Sequence, residues 1–491
     1  GTAWREAWRT EDAHGLRARM RGDLPRYLRR RQADWHGRRA RGRIAQIRNG
    51  PASDGTGDTS VASVASVRVT RLAGLTRMKS PLLRPLAWAL LSLAVAAPAD
   101  ALAANKDRHV VLISLDGFRW DYGTLHPAET PNLRRLMSEG VTARSLIPVF
   151  PSNTFPNHVS IVTGLYPAHH GIINNTFFDS ALGSIFRYNQ SASARDSRWW
   201  GGEPIWITAV KQGRASACSF WPGSEAEIGG LRPTYWKPYD YAGISFEQRL
   251  DELVAWLRLP AAQRPAVVTF YLEETNGAGH RHGPDSPQLI AAITLLDARV
   301  GALSDRLRAE GIAPNLVIVS DHGMTSCDAE RVLILDDYLD LATVQIDFEE
   351  TCAGLRPLAG NNVAAMMRAL AKIPPQQAKA YRSTELPERF RVDATHPRVP
   401  PVWIVPAEGW HVVRRSLYHK ALTHFLRGQH GYDPGFASMG GIFIAHGPAF
   451  KSGVVVEPVE NIHIYNLLCA ALQLQPAPND GDDRLVRAAL K

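Results

Sequence analysis

Four stretches of this chain are apolar almost without interruption: HVVLISL (109–115), AVVTFYL (266–272), NLVIVS (315–320) and GIFIAHG (441–447). Strict alternation of apolar and polar positions would mark strands with one wet face. Continuous β-branched runs of this length mark strands covered on both faces, as in a parallel sheet between helices. Between these runs the spacing becomes helical. In TPNLRRLMSEG, Thr130 takes the N-cap position, Pro131 the first turn and Gly140 the stop. The stretch SPQLIAAITLLDARVGALSDRLRAEG, from Ser286, keeps an apolar stripe at three- and four-residue intervals. Strand and helix in alternation predict an α/β fold with a mostly parallel central sheet flanked by helices.

The pattern loosens between about 325 and 425, where short mixed runs and the proline-rich THPRVPPVWIVP predict a small subdomain inserted into the main sheet. Neither an internal repeat nor a long low-complexity segment follows residue 104.

Composition changes the picture chiefly at the start of the chain. The 491 residues carry a formal charge of +9, which invites a nucleic-acid or membrane partner. The excess is local: 17 of the 56 basic residues, all arginine, and 7 of the 47 acidic ones lie in 1–77. That leaves 39 basic against 40 acidic residues in the rest, so the body carries no basic signature and no nucleic-acid-binding module is expected. After residue 77, Met78, Lys79 and Arg84 form a positive segment, LAWALLSLAVAA an apolar one, and Ala101-Leu102-Ala103 a cleavage site. A membrane span needs about 20 apolar residues, and this run is shorter. The expectation is a signal peptide over 78–103, a disordered stretch of upstream sequence over 1–77 that is not part of the natural protein, and a mature catalytic domain over 104–491 in the periplasm or secreted. No stable membrane span is expected. The four cysteines, Cys218, Cys327, Cys352 and Cys469, match no zinc-knuckle spacing and allow zero, one or two disulfides.

Ligands of open α/β folds collect at the carboxyl ends of the strands, so the residues just after each apolar run carry the candidate chemistry. Asp116-Gly117 follows the first run, Asp321-His322-Gly323 the third, and a glycine-rich loop with Asn276, His280 and His282 the second. Carboxylate and imidazole together are ligands of zinc. In FPSNTFPNHVSIVTGLYP (150–167), Thr154 opens a predicted helix, whose N-terminal amides favour an anion such as phosphate. A metal-bound hydroxyl there would be an activated nucleophile.

LDG, FPSNTFPNH, VTGLYPAHHGIINNTFFD, FWPGSE, GH..GP, SDHGM and QHGYDP occur in this order. Together they closely resemble the nucleotide pyrophosphatase/phosphodiesterase family of the alkaline-phosphatase superfamily, over residues 108 to 478. The resemblance implies an alkaline-phosphatase-like core, two zinc ions, a small nucleotide or phosphodiester substrate and a covalent threonine intermediate. It implies Asp116, Thr154, Asp321 and His322 as one zinc site, and Asn175 as the amide that steadies a phosphate oxygen. His280 and His430 are implied as ligands of the other zinc. Phe155 and Tyr239 are implied to sandwich a nucleobase, with Tyr271 at the edge of that pocket.

At one point the chain departs from the family pattern: Asn276 stands where the family has aspartate as third ligand of the second zinc. A neutral amide is a poorer partner for zinc, so the second site is expected to be weakened. Glu273 and Glu274 are the nearby carboxylates that could compensate. The competing readings are a degenerate homologue that binds nucleotide or metal without turnover, and a phosphodiesterase of phospholipid head groups, since aromatic boxes also hold choline-like cations.

Overall fold

A computed structural model describes residues 108–421 and 426–491. The expected upstream stretch and signal peptide, with residues 104–107, lie outside the described residues. Eight strands form the main sheet, in the order Val454–Val456, Val141–Ala143, Phe443–His446, Asn315–Val319, Val110–Leu115, Val267–Leu272, Ser216–Ser219, Tyr235–Lys237. Pairing is parallel except around Phe443–His446, which runs antiparallel to both neighbours. The three apolar runs that end in candidate ligands are adjacent, in a register that pairs Val110 with both Val267 and Asn315.

Each central strand is buried on both faces, which is why its sequence does not alternate. Val110 and Leu112 point into a core shared with helices Thr154–Thr163, Ile205–Lys211 and His463–Leu472. Val111, Ile113 and Leu115 point into the opposite core, with helices Pro131–Glu139, Phe246–Leu257 and Pro287–Ala309. The last of these starts at Ser286, whose side chain accepts from the Leu289 N–H.

Strands Val344–Phe348, Ala353–Pro357, Ala378–Arg382 and Val402–Pro406 form a separate antiparallel sheet, with a core of its own that includes Met366 and Leu370 of helix Val363–Leu370. All four cysteines are buried free thiols. Among the described residues no helix is long and apolar enough to cross a membrane.

One expectation is corrected. The segment after Leu272 is not a glycine-rich loop: Glu274–His282 is an α-helix. Tertiary contacts override the low helix propensity of its glycines. Thr275 Oγ1 donates to the Asp116 carbonyl at 2.5 Å and Ala278 is buried in the core. Gly279 is there for close approach rather than for a turn, since a Cβ would meet Met324 Cε at 2.8 Å. As a consequence Asn276 and His280, four apart, share one helical face.

Candidate metal centre and active site

The carboxyl ends of two paired central strands deliver the first cluster. Asp116 follows Leu115, and Asp321 and His322 follow the neighbouring strand; all three are 0% exposed, and their ligand atoms lie within 4.8 Å of one another. His322 Nε2 is 3.0 Å from Asp321 Oδ2 and 3.4 Å from Asp116 Oδ1. Its Nδ1 lies 2.9 Å from the Gly323 carbonyl, which can only accept, so Nδ1 carries the proton and Nε2 faces the carboxylates. Burial alone would depress the His322 pKa, but Asp321 and Asp116 outweigh it and raise it. Burial, then Asp321, pushes Asp116 well above the usual carboxylate range, while His322 and His158 overcome burial to hold Asp321 below it. The cluster lacks positive charge.

A cation fits that deficit. Asp116 Oδ1, Asp321 Oδ2 and Asn276 Oδ1 are buried oxygens without a hydrogen-bond partner, and such groups are costly unless something compensates them. Asn276 belongs to the same place: a Cβ on Gly117 would lie 3.1 Å from Asn276 Cα.

His280 and His430 repeat the histidine arrangement. Nδ1 of His280 donates to the Gly428 carbonyl and Nδ1 of His430 to that of Ser152, both at 2.9 Å. Each Nε2 is thereby left with its lone pair, the orientation that metal-ligating histidines take from their outer partners. Burial lowers the His280 pKa to about 4 and that of His430 well below its ordinary value, so both are neutral at physiological pH. The His430 ring stacks on His322 with centroids 3.5 Å apart and lies 5.0 Å from His280. The structure therefore brings together all six predicted side-chain ligands other than Thr154, and Thr154 joins them.

Thr154 is the first residue of helix Thr154–Thr163 and is half-buried, with Oγ1 3.4 Å from His322 Nε2. The cap position belongs to Asn153, whose side chain makes no capping bond and instead donates to Asn174 Oδ1. Asn175 Oδ1 accepts the Phe155 N–H at 2.8 Å, which leaves the Asn175 amide hydrogens as donors beside Thr154.

The two nearby carboxylates have partners of their own, although Glu274 Oε2 is a buried oxygen without one. Glu273 accepts the Tyr239 hydroxyl at 2.7 Å, and Glu274 pairs with Arg299 and accepts from Tyr241. Of the predicted aromatics, Phe155 sits among Phe186, Tyr188 and Trp200, whereas Tyr239 sits between Phe220 and Tyr271. Tyr271 is 7% exposed, and its hydroxyl donates to Asp116 Oδ2 at 2.5 Å. That contact ties it to the candidate ligand Asp116, while its ring lies 6.4 Å from that of Tyr239.

Sequence reasoning passed over two residues. His158 bridges the Thr154 carbonyl (Nδ1, 2.8 Å) and Ser114 Oγ (Nε2, 2.8 Å), with Nδ1 3.4 Å from Asp321 Oδ2. Its spacing of four from Thr154 was the available signal. Tyr188, 40% exposed, holds its ring 5.5 Å from Phe155. It stands beyond hairpin Thr176–Asp179/Ser184–Arg187, and no local pattern links it to Thr154.

The profile of the family described as type I phosphodiesterase / nucleotide pyrophosphatase matches residues 110–433. Venom phosphodiesterase CdcPDE of Crotalus durissus collilineatus is 38% identical over 401 residues, 79% of this chain and 47% of that protein. Ectonucleotide pyrophosphatase/phosphodiesterase family member 3 of Bos taurus is 37% identical over 392 residues, 78% of this chain and 44% of that protein. The chain thus spans about half the length of the curated relatives it matches. Among solved structures, murine ectonucleotide pyrophosphatase/phosphodiesterase 5, in an inactive variant in complex with AMP, is similar with a TM-score of 0.73 and 36% identity, over 78% of this chain and all of that one. Fold, strand-end ligands and these relatives agree: the chain belongs to the type I phosphodiesterase / nucleotide pyrophosphatase family, within the alkaline-phosphatase superfamily.

Proposed function

We propose that this protein is an exported metal-dependent hydrolase that cleaves phosphodiester or pyrophosphate bonds of nucleotides through attack by Thr154. The observation that carries the reading is the seat of that hydroxyl. It opens a helix, is partly open to solvent, and stands 3.4 Å from His322 Nε2 beside two buried carboxylates. Zinc, held by Asp116, Asp321, His322 and Thr154 on one side and by His280, His430 and Asn276 on the other, would supply Lewis acidity that lowers the hydroxyl pKa and offsets phosphate charge.

The chain's own residues do the rest. Thr154 Oγ forms the bond to phosphorus as the bond to the leaving group breaks, and water later cleaves the resulting phosphothreonine ester. The Asn175 amide hydrogens and the helix N-terminus hold a non-bridging phosphate oxygen. Phe155, with Tyr188 beside it, and Tyr239 offer aromatic faces for a base. The AMP bound by the related phosphodiesterase 5 supports a nucleotide over a phospholipid head group. Asn276 adds no charge to the His280–His430 group. Its zinc affinity should fall by at least the roughly 10–100-fold that loss of an outer-shell partner costs, and hydrolysis of the Thr154 ester should lag its formation.

Brief mixing with p-nitrophenyl thymidine monophosphate, an acid quench and peptide mass spectrometry test this. The expected result is a burst of nitrophenolate and a thymidylyl group on Thr154, both absent in Thr154→Ala. Undiminished turnover in Thr154→Ala contradicts the reading. Asn276 also favours a second reading, a homologue that binds nucleotide and metal without turnover; it predicts the adduct without any release. Export is tested by sequencing the mature N-terminus, which should begin just after Ala103.

A further inference from the structure

The proline-rich stretch THPRVPPVWIVP supplies no candidate ligand, yet its one arginine is committed to the segment that carries Asn175. Arg398 is 8% exposed. Its Nε donates to Asp179 Oδ2 at 2.8 Å, its Nη1 to the carbonyls of Gly171 (2.7 Å) and Trp199 (2.6 Å), and its Nη2 to that of Arg198 (2.9 Å). The Arg398 carbonyl in turn accepts Arg356 Nη2 at 2.9 Å, from strand Ala353–Pro357 of the separate antiparallel sheet. The inserted region is thereby fastened to the chain around Asn175.

Gly171 lies four residues before Asn175 and Asp179 four residues after it, so one guanidinium holds the chain on both sides of that amide. Asp179 ends the first strand of hairpin Thr176–Asp179/Ser184–Arg187. At the hairpin's open end the Tyr188 N–H donates to the Asn175 carbonyl at 3.0 Å. Gly171 has φ +81°, and a Cβ there would lie 2.5 Å from Arg398 Nη1, so the approach of the guanidinium excludes a side chain. A buried charge of this kind is weak evidence for stability, since desolvation offsets much of its pairing energy. What a guanidinium adds is a rigid fork of donors that fixes several acceptors at once, which a lysine ammonium does not.

We propose that Arg398 is a positioning residue for the Thr154 reaction: through Gly171 and Asp179 it sets the Asn175 amide against the non-bridging phosphate oxygen. Asn175 Oδ1 accepts the Phe155 N–H at 2.8 Å, and the Asn175 N–H donates to Asn174 Oδ1 at 2.7 Å. Those bonds set how the amide is turned, whereas Arg398 sets where the backbone beneath it stands. Arg398 acts through that backbone and takes no part in the bond changes at phosphorus. The inference rests on the placing of Asn175 against the phosphate in the function proposed above.

The test is the nitrophenolate burst from p-nitrophenyl thymidine monophosphate in zinc-loaded protein, with zinc per chain measured on the same samples. Arg398→Gln should slow the burst by about 10²-fold, the cost of a misplacement of roughly 1 Å, with zinc per chain unchanged. Asn175→Ala should slow it by roughly 10²–10³-fold, as loss of an oxyanion donor does. The double variant should be about as slow as Asn175→Ala alone, because Arg398 then has nothing left to position. A purely structural role predicts instead losses that multiply, or a loss that follows bound zinc. Either overturns the proposal, as does a parent-like burst in Arg398→Gln. If Arg398→Gln does not fold, Arg398→Lys, which keeps the charge opposite Asp179 but not the fork, carries the same comparison with the same outcomes. If Asn175→Ala leaves the burst unchanged, the placing of Asn175 on the phosphate fails and this inference with it; if it slows the burst while the Arg398 variants do not, only this inference fails.

Discussion

The two groups of candidate ligands adjoin one another but are built from different materials. Asp116, Asp321 and His322 stand on the ends of two paired central strands, fully buried, with two carboxylates among three ligands. Asn276 and His280 stand on a short helix and His430 on a loop beyond strand Gly428–Gln429, and no carboxylate is among them. Their histidines are prepared equally well, each with Nδ1 donated to a carbonyl at 2.9 Å. Beyond the elements that carry them, the difference lies in charge. The histidine geometry is thus shared by the two groups, and under the proposed function the lower charge of the second predicts a lower metal affinity there.

The largest effect that would break this comparison lies on the strand-end side. Thr154→Ala should lower nucleotide diester hydrolysis by ~10⁴-fold or more, the scale seen when a covalent nucleophile is removed. Asp321→Asn should come next, because it leaves the first group with a single carboxylate. Its zinc affinity, followed by competition with a chromogenic chelator, should drop by more than the roughly 10–100-fold typical of outer-shell losses. Equal zinc binding in Asp321→Asn and parent would remove the distinction between the two groups.

Tyr271→Phe sharpens the comparison at one ligand. It deletes the hydrogen bond to Asp116 Oδ2 while keeping the ring between His158 and Tyr239. Zinc affinity of the first group should fall by about 10-fold, at the lower end of such effects. A change confined to KM for the nucleotide would assign Tyr271 to base binding instead.

A prediction of a different kind concerns acid and the stability of the fold that carries both groups. Burial lowers the pKa of His280 and of His411 to about 4, and that of His170 to about 3, against about 6.5 in an unfolded chain. Below pH 6.5 the unfolded state takes up protons that the folded one refuses. The stability of metal-free protein is therefore highest above 6.5 and falls as the pH drops towards 4, by up to about 1.4 kcal/mol per pH unit for each histidine. Urea midpoints across this window check it, and His170→Gln should flatten the slope. A midpoint constant from pH 7 to 4 contradicts the account.

How much of this was legible in the sequence follows from where the information sits. The three central strands and the acids behind them were readable because burial on both faces forces a continuous apolar run, and the first polar residue after it is the strand end. Thr154 was readable from its place at a helix start. The helix carrying Asn276 and His280 was misread as a loop because its stability comes from Asp116, Gly428 and Met324, all distant in sequence. His158 escaped because an imidazole on a mostly apolar helix looks like core until Asp321 is seen beside it. The hydrogen bond of Tyr271 to Asp116 escaped for a related reason: an aromatic at a strand end does not announce which neighbour its hydroxyl reaches. Residue identity marked the ligands, and only the fold revealed what supports them.

The most direct test of the central claim is a calorimetric zinc titration of freshly prepared metal-free protein alongside Asn276→Asp. The account predicts one tight and one weak site in the parent, and two tight sites in the variant. Two equally tight sites in the parent would contradict it.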